Sequence, residues 1–313
     1  MYFEKFYKYK TITQQPAKIV LITGSCGFLG RYLCHEFSDC DVTTLGLNPN
    51  NNIVCDLAIN VPDFSRGFDM VVHAAGDPRN EKAHAVNYQG TKNLCKGLEA
   101  NPPKEFVFIS SVQVYGKTQG ENYDESTALE PFTEYGKSKA MAEEFLKQWC
   151  GERGVKLSIL RPPLIVGTRM KGTLRSMVNG IYRGYYFHFK DNDARRSVVH
   201  AVDVSQVVKL ISPIGGTYNV TDGVHPSVYD LGEAFAYRMG NRRIYTIPMW
   251  MAKFAAKCGD ILGYNKSPIT TLKLSHLTNT LTFDSATIEK VLDWKPNDVT
   301  NYLRTHNYDE NSL

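Results

Sequence analysis

Short apolar runs alternate with segments of helical spacing through the first half of the chain. Lys18-Ile-Val-Leu-Ile-Thr23 is almost wholly apolar and runs into glycines, which predicts a strand buried on both faces. Phe28, Leu29, Tyr32, Leu33 and Phe37 then recur at the period of a helix. Residues 42–47 and the short stretch 52–55 predict a second and a third strand, and 69–75 a fourth. One long helix is predicted over 81–98, closed by Asn101-Pro-Pro. Residues 106–110 read as a fifth strand, 133–150 as a helix and 156–160 as a sixth strand. This alternation predicts an α/β fold, a Rossmann-type doubly wound parallel sheet that binds its ligands at the carboxyl ends of the strands.

Past residue 165 the rhythm breaks into glycines, aromatics and short helical patterns over 226–239, 248–262, 269–278 and 285–293. The expected division is a dinucleotide-binding domain over 17–165 and a smaller, mainly helical substrate lobe over 166–313. Within the lobe, about 196–212 is expected to return one strand and one helix to the main sheet, through Val198-Val-His-Ala-Val-Asp-Val204. Residues 1–16 form an N-terminal extension carrying Tyr2, Phe3, Phe6, Tyr7 and Tyr9 among lysines. Its expected role is to cover a sheet edge, with a membrane surface or a partner chain as the other options.

Composition narrows the class. The chain has 313 residues, 42% hydrophobic and 22% charged, as in soluble globular proteins. A net charge of +4 without a basic block argues against a nucleic-acid partner. Seven scattered cysteines with no Cys-x-x-Cys predict reduced thiols in a cytoplasmic protein. No run has secretory-signal character, none of 18 apolar residues predicts a transmembrane segment, and nothing has metal-ligand spacing.

Gly24, Gly27 and Gly30 are spaced by three between the first strand and the first helix. Gly24 suits a tight turn, Gly27 lets backbone approach a diphosphate drawn to free helix N–H groups, and Gly30 lets helix and strand pack closely. The turn therefore predicts nucleotide binding by Gly24, Cys26, Gly27, Phe28, Leu29 and Gly30. At the end of the second strand, Thr44-Leu-Gly-Leu-Asn48 offers no acid for a ribose 2′-hydroxyl and no arginine for a 2′-phosphate. NAD and NADP both stay open. Asp56 and Leu57, after the third strand, are placed to touch adenine through side chain and backbone.

Tyr135 and Lys139 lie four apart on a predicted helix, so both face one way. A free phenol titrates near about 10 and is a poor base at neutral pH. A nearby ammonium and a positive nicotinamide ring favour the phenolate and lower that value. Ser111, at a strand's carboxyl end, can hydrogen-bond a substrate oxygen. Together these groups can move a proton and a hydride at a carbinol carbon.

With those motifs the chain resembles the extended short-chain dehydrogenase/reductases, in the NAD-dependent epimerase/dehydratase family. The residues carrying the likeness are Thr23-Gly-Ser-Cys-Gly-Phe-Leu-Gly30, Val72-His-Ala-Ala75, Asn87 in Val86-Asn-Tyr-Gln-Gly-Thr91, Ser110-Ser-Val-Gln-Val-Tyr-Gly116, Tyr135-x-x-x-Lys139 and Leu160-Arg-Pro162. The resemblance spans about residues 18 to 300. It implies a catalytic triad of Ser111, Tyr135 and Lys139. It also implies a cofactor channel lined by Ala74 and Ala75, organised by Asn87 and bordered by Pro162.

The second lobe adds a substrate expectation. Arg195-Arg-Ser-Val-Val-His-Ala-Val-Asp203 is similar to the Arg-x-x-x-His-x-x-Asp segment of nucleotide-sugar enzymes, which implies that Arg196 contacts a substrate diphosphate. The tail Phe283 to Pro296 resembles the C-terminal pattern of sugar-nucleotide epimerases and reductases. Dehydratases of the family carry an Asp-Glu pair where this chain has Val112 and Gln113, so dehydration is not expected. Gln113 joins Arg196 as an expected substrate contact. The remaining reactions are C4 epimerisation with tightly held NAD and 4-keto reduction with NADPH, on a nucleotide-activated hexose. A dehydrogenase of apolar alcohols and a non-catalytic NADP sensor are the rivals. The expected partners are a nucleotide sugar and, as one option, a second copy of the chain in a homodimer.

Overall fold

Val20 to Thr23 of the first strand, β1 (Ile19–Thr23), are all buried, as a strand covered on both faces requires. It belongs to a computed structural model that describes residues 17–263, 267 and 269–305, so the expected edge-covering role of residues 1–16 lies outside the described residues. In chain order there follow β2 (Asp41–Gly46), β3 (Ile53–Val54), β4 (Met70–His73), β5 (Glu105–Ile109), β6 (Gly120–Tyr123) and β7 (Lys156–Arg161). The second half adds β8 (Leu164–Val166), β9 (Phe187–Phe189), β10 (Val198–His200), β11 (Gly216–Asn219), β12 (Tyr245–Ile247) and β13 (Leu281–Phe283).

Seven strands form the main sheet in the order β11-β7-β5-β4-β1-β2-β3, every pair parallel. The order reverses between β1 and β4, with Thr23 opposite His73, and the ligand crevice of such a sheet opens there. Successive side chains point to opposite faces. Val20, Ile22, Val72 and Val107 meet Leu29, Leu33 and Phe37 of the Phe28–Glu36 helix on one side. Leu21, Val71, Phe106 and Phe108 meet Leu94, Ala142, Leu146 and Trp149 on the other. The last three of these come from the 20-residue Glu134–Arg153 helix, whose start Thr133 caps through Gly136 N–H at 3.0 Å.

Two expectations change. The long helix over 81–98 is three segments: Asn80–Ala83, a π-helical His84–Gln89 and Gly90–Gly97. The widened middle turn carries the buried Asn87, and such turns recur at functional sites. The return of 196–212 to the main sheet also divides. Its strand β10 pairs with β8 outside the main sheet, while the Ala201–Ile211 helix covers the sheet through Val204, Val207, Val208 and Ile211. Pro162 and Pro163 follow β7 directly and lack the N–H that would continue its ladder. The chain leaves the sheet there, and β11 fills the edge beside β7 instead. The helices expected in the lobe are Val228–Arg238, Met249–Leu262, Thr271–Thr278 and Ala286–Leu292.

Candidate active site

The glycine turn joins β1 to the Phe28–Glu36 helix at the crevice. Gly24 has φ +70°, and a Cβ there would stand 2.8 Å from the Ala75 backbone nitrogen. At Gly30 a Cβ would fall 2.6 Å from Ser25 Cα, so the helix can lie this close to the turn only without a side chain. The helix begins with neither a side-chain cap nor an acid in its first turn, which leaves free N–H groups for an anion. Leu29 is buried in the sheet core and Phe28 packs against it, so these two face the turn through backbone alone. Cys26 is exposed at the tip.

Hydrogen bonds tie the ends of β1 and β4. Thr23 Oγ1 lies 2.7 Å from His73 Nδ1 and accepts from Ala75 N–H at 3.1 Å. His73 Nε2 reaches Thr91 Oγ1 at 2.9 Å. Burial, helped by nearby Lys139, lowers the His73 pKa to about 3, so the ring is neutral. Ala74 and Ala75 continue from this network at half-buried positions. Asn87 donates to the Asp77 carbonyl and to Ser138 Oγ, each at 3.0 Å, and accepts from Asp77 N–H at 2.9 Å. It thereby holds the segment after β4 against the Tyr135 helix.

Near the end of β2 the structure adds Asn51, absent from the sequence expectations. Its Oδ1 accepts from Ser25 Oγ of the glycine turn, and a Cβ at Gly46 would meet its Nδ2 at 3.1 Å. Asp56 folds back on its own turn, accepting from Ala58 N–H at 3.0 Å. The Leu57 side chain goes into the core, and its carbonyl accepts from Asn93 at 2.8 Å.

Ser111 caps the short helix Val112–Tyr115, accepting from Gln113 N–H at 3.2 Å. Its hydroxyl is also near enough to the Tyr135 phenol to pull that group's pKa down. Burial pushes the phenol up to about 12, against the opposing pull of Ser111. Lys139 is buried one turn further along the helix, and burial lowers its amine to about 8, offset in part by Glu143. Its Nζ donates to the Ile109 carbonyl at 2.8 Å and stands 4.6 Å from the Phe108 ring centroid. The Pro162 carbonyl accepts from Val112 N–H at 3.3 Å and so fixes the Ser111 turn. The exposed Gln113 side chain accepts from Thr133 Oγ1 at 3.3 Å.

Next to Ser110 and Lys139 lies a buried pair that sequence reasoning missed. Arg161 Nε donates to Glu143 at 3.0 Å, and Arg161 Nη1 donates to the Tyr115 hydroxyl at 2.9 Å. Ser110 Oγ donates to the same carboxylate. Glu143 sits four residues after Lys139 on the buried stripe of the helix, a spacing that is visible in the sequence.

Arg196 lies just before β10. It bridges to Leu281, which packs in the cluster of Val112, Val114 and Tyr115. The guanidinium is buried, donates to the His276 carbonyl and, among the described residues, pairs with no carboxylate. Burial lowers its pKa to about 10. A buried cation without a counter-charge suits an anionic ligand. Among the described residues no three His, Cys, Asp or Glu side chains gather to hold a metal ion.

The profile of the NAD dependent epimerase/dehydratase family matches residues 20–221. The chain belongs to this family. It is an NAD(P)-dependent enzyme of the extended short-chain dehydrogenase type. The N-acetyl-alpha-D-glucosaminyl-diphospho-ditrans,octacis-undecaprenol 4-epimerase of Escherichia coli O157:H7 is 26% identical over 86% of this chain and 88% of its own. The UDP-glucose 4-epimerase of Vibrio cholerae is 26% identical over 89% of this chain and 91% of its own. The crystal structure of UDP-N-acetylglucosamine 4-epimerase from Bacillus cereus aligns with a TM-score of 0.71 over 92% of this chain and 97% of that one, at 18% identity. That likeness shows the Rossmann-type fold.

Proposed function

We propose that the chain epimerises a nucleotide-activated hexose at C4 with tightly held NAD. The observation that carries this reading is the buried Lys139, anchored to the Ile109 carbonyl one turn after Tyr135, with Ser111 at the end of that strand and close to the phenol. The glycine cradle, closed to any side chain at Gly24 and Gly30, suits a dinucleotide diphosphate. A nicotinamide bound there supplies the hydride chemistry. Tyr135 takes the proton from the substrate hydroxyl and later returns one. Ser111 holds the reacting oxygen, and the Lys139 ammonium stabilises the phenolate. Val112 and Gln113 offer no carboxylate, so loss of water across C5 and C6 is not part of the reaction. Reduction of a 4-keto sugar uses the same residues in one direction, with Tyr135 as the acid.

Arg196 is proposed to hold the substrate diphosphate. The two curated relatives act on sugars with different carriers, UDP in one and an undecaprenyl diphosphate in the other. A polyprenyl carrier is therefore a second reading, and it keeps the same diphosphate contact. The assembly is proposed to be a homodimer in the cytoplasm, which sedimentation and cell fractionation check.

The deciding experiment incubates the protein with NAD and a panel of UDP-hexoses and undecaprenyl-diphosphate N-acetylhexosamines, reading products by NMR. Inversion at C4 is expected, without a 4-keto-6-deoxy product. Arg196→Ala should weaken substrate by about 1.5–3 kcal/mol, the size of a hydrogen bond to a charged group, and leave cofactor affinity unchanged. Turnover of an apolar alcohol, with none of any sugar diphosphate, would overturn the reading.

A further inference from the structure

The Met249–Leu262 helix takes no part in the site described above. It is packed inside out. The residues it buries are Ala252, Ala256 and Gly259, small side chains on one stripe. Ala252 and Ala256 pack with Leu274, Phe189, Ile247 and Ile269. The large apolar residues face solvent instead: Trp250 is 69% exposed, Phe254 68%, Ile261 87% and Leu262 64%. Positions 250, 254, 258 and 261 follow the helical period, so Trp250, Phe254, Cys258 and Ile261 run in one line along the outer face. Solvent exposure of this much contiguous apolar surface marks a binding face.

Two cations flank the line. Lys253 and Lys257 are exposed and border it along one side. Asp260 is the helix's single acid, and Thr271 engages it through N–H, at 2.9 Å, and hydroxyl. The helix thus carries two lysines to one carboxylate, a net charge of +1. Two copies would meet with the same net positive charge, whereas lipid phosphates answer it.

We propose that this face docks the substrate lobe onto a bilayer bearing anionic phospholipids. Trp250, Phe254 and Ile261 enter the acyl boundary, while Lys253 and Lys257 meet the phosphate groups. The helix lies in the plane of the surface. Its 14 residues reach only about 21 Å, short of the roughly 30 Å hydrocarbon core. The inference does not depend on which sugar or carrier the active site takes.

The test sediments the full-length protein with vesicles of phosphatidylcholine, with and without phosphatidylglycerol. Wild type should partition onto the phosphatidylglycerol vesicles and be released by high salt. The triple variant Trp250→Ser, Phe254→Ser, Ile261→Ser should bind on the order of 10-fold less or weaker still, with its circular dichroism unchanged. A second variant, Lys253→Glu with Lys257→Glu, should lose the preference for anionic vesicles while keeping the apolar face. Absence of wild-type binding, or equal binding by the triple variant, overturns the proposal. A concentration-dependent dimer that the triple variant abolishes overturns it as well, in favour of a second copy on this face.

Discussion

Lys139 donates to the Ile109 carbonyl at 2.8 Å, so the amine one turn after Tyr135 is anchored to the strand that leads into Ser111. Helix and strand thus fix one another between Ser111 and Lys139. The anchor also takes the ammonium out of water, and burial is the main cause of its lowered pKa.

Tyr135→Phe should reduce turnover on the order of 10²–10⁴-fold, the usual contribution of a positioned acid or base. Cofactor binding should stay close to wild type, because the glycine turn is untouched. Steady-state rates with parallel cofactor titration check this. Wild-type turnover in the variant would remove Tyr135 from the mechanism.

Stability should depend on pH through Lys139. The folded amine titrates at about 8 and the unfolded one at its ordinary 10.5. Between those values the unfolded chain holds a proton that the folded chain has released, so stability rises with pH across this window. Urea denaturation of wild type from pH 7 to 9.5 should show the rise, and Lys139→Met should lack it. Above pH 10 the raised phenol of Tyr135 acts in the opposite direction, which sets the upper limit of the measurement.

Glu143→Gln should cost about 3–5 kcal/mol, since it strands the Arg161 charge in the interior. Their side chains are only 1% and 4% exposed, so water cannot replace the lost carboxylate. Adding Arg161→Met should recover part of the loss. If the double variant is less stable than Glu143→Gln alone, Arg161 is held by more than its partner's charge.

Gly46→Asp should weaken NADP at least about tenfold more than NAD, through repulsion of the 2′-phosphate. The new side chain must first displace Asn51, whose Nδ2 would lie 3.1 Å from its Cβ. Binding of both cofactors to both proteins measures the difference. Equal losses would show that position 46 turns away from the ribose.

Strands β1, β4, β5 and β7 were legible because both faces of a parallel sheet are buried, and their sequences are apolar without alternation. β11 was not, because Gly-Thr-Tyr-Asn at a sheet edge carries no such run. The π-helical turn at His84–Gln89 escaped notice because it changes hydrogen-bond spacing, not side-chain polarity. The glycine spacing and Tyr135-x-x-x-Lys139 are local patterns, so they could be read directly. Asn51 acts on Ser25 from 26 residues away, and Arg161 on Glu143 from 18, distances over which no single-chain pattern operates.

Asn219, the last residue of β11, accepts from the Tyr115 hydroxyl and donates to the carbonyls of Tyr123 and Asp284. Three distant stretches of chain are thereby riveted at one amide. The Ala201–Ile211 helix, contributed from beyond residue 165, also roofs one side of the sheet. A cut at residue 165 severs both of these connections. A fragment ending at residue 165 would lack an edge strand and leave Val20, Ile22 and Val107 without that roof, so it should precipitate, not bind cofactor. The intact chain should melt in a single cooperative step.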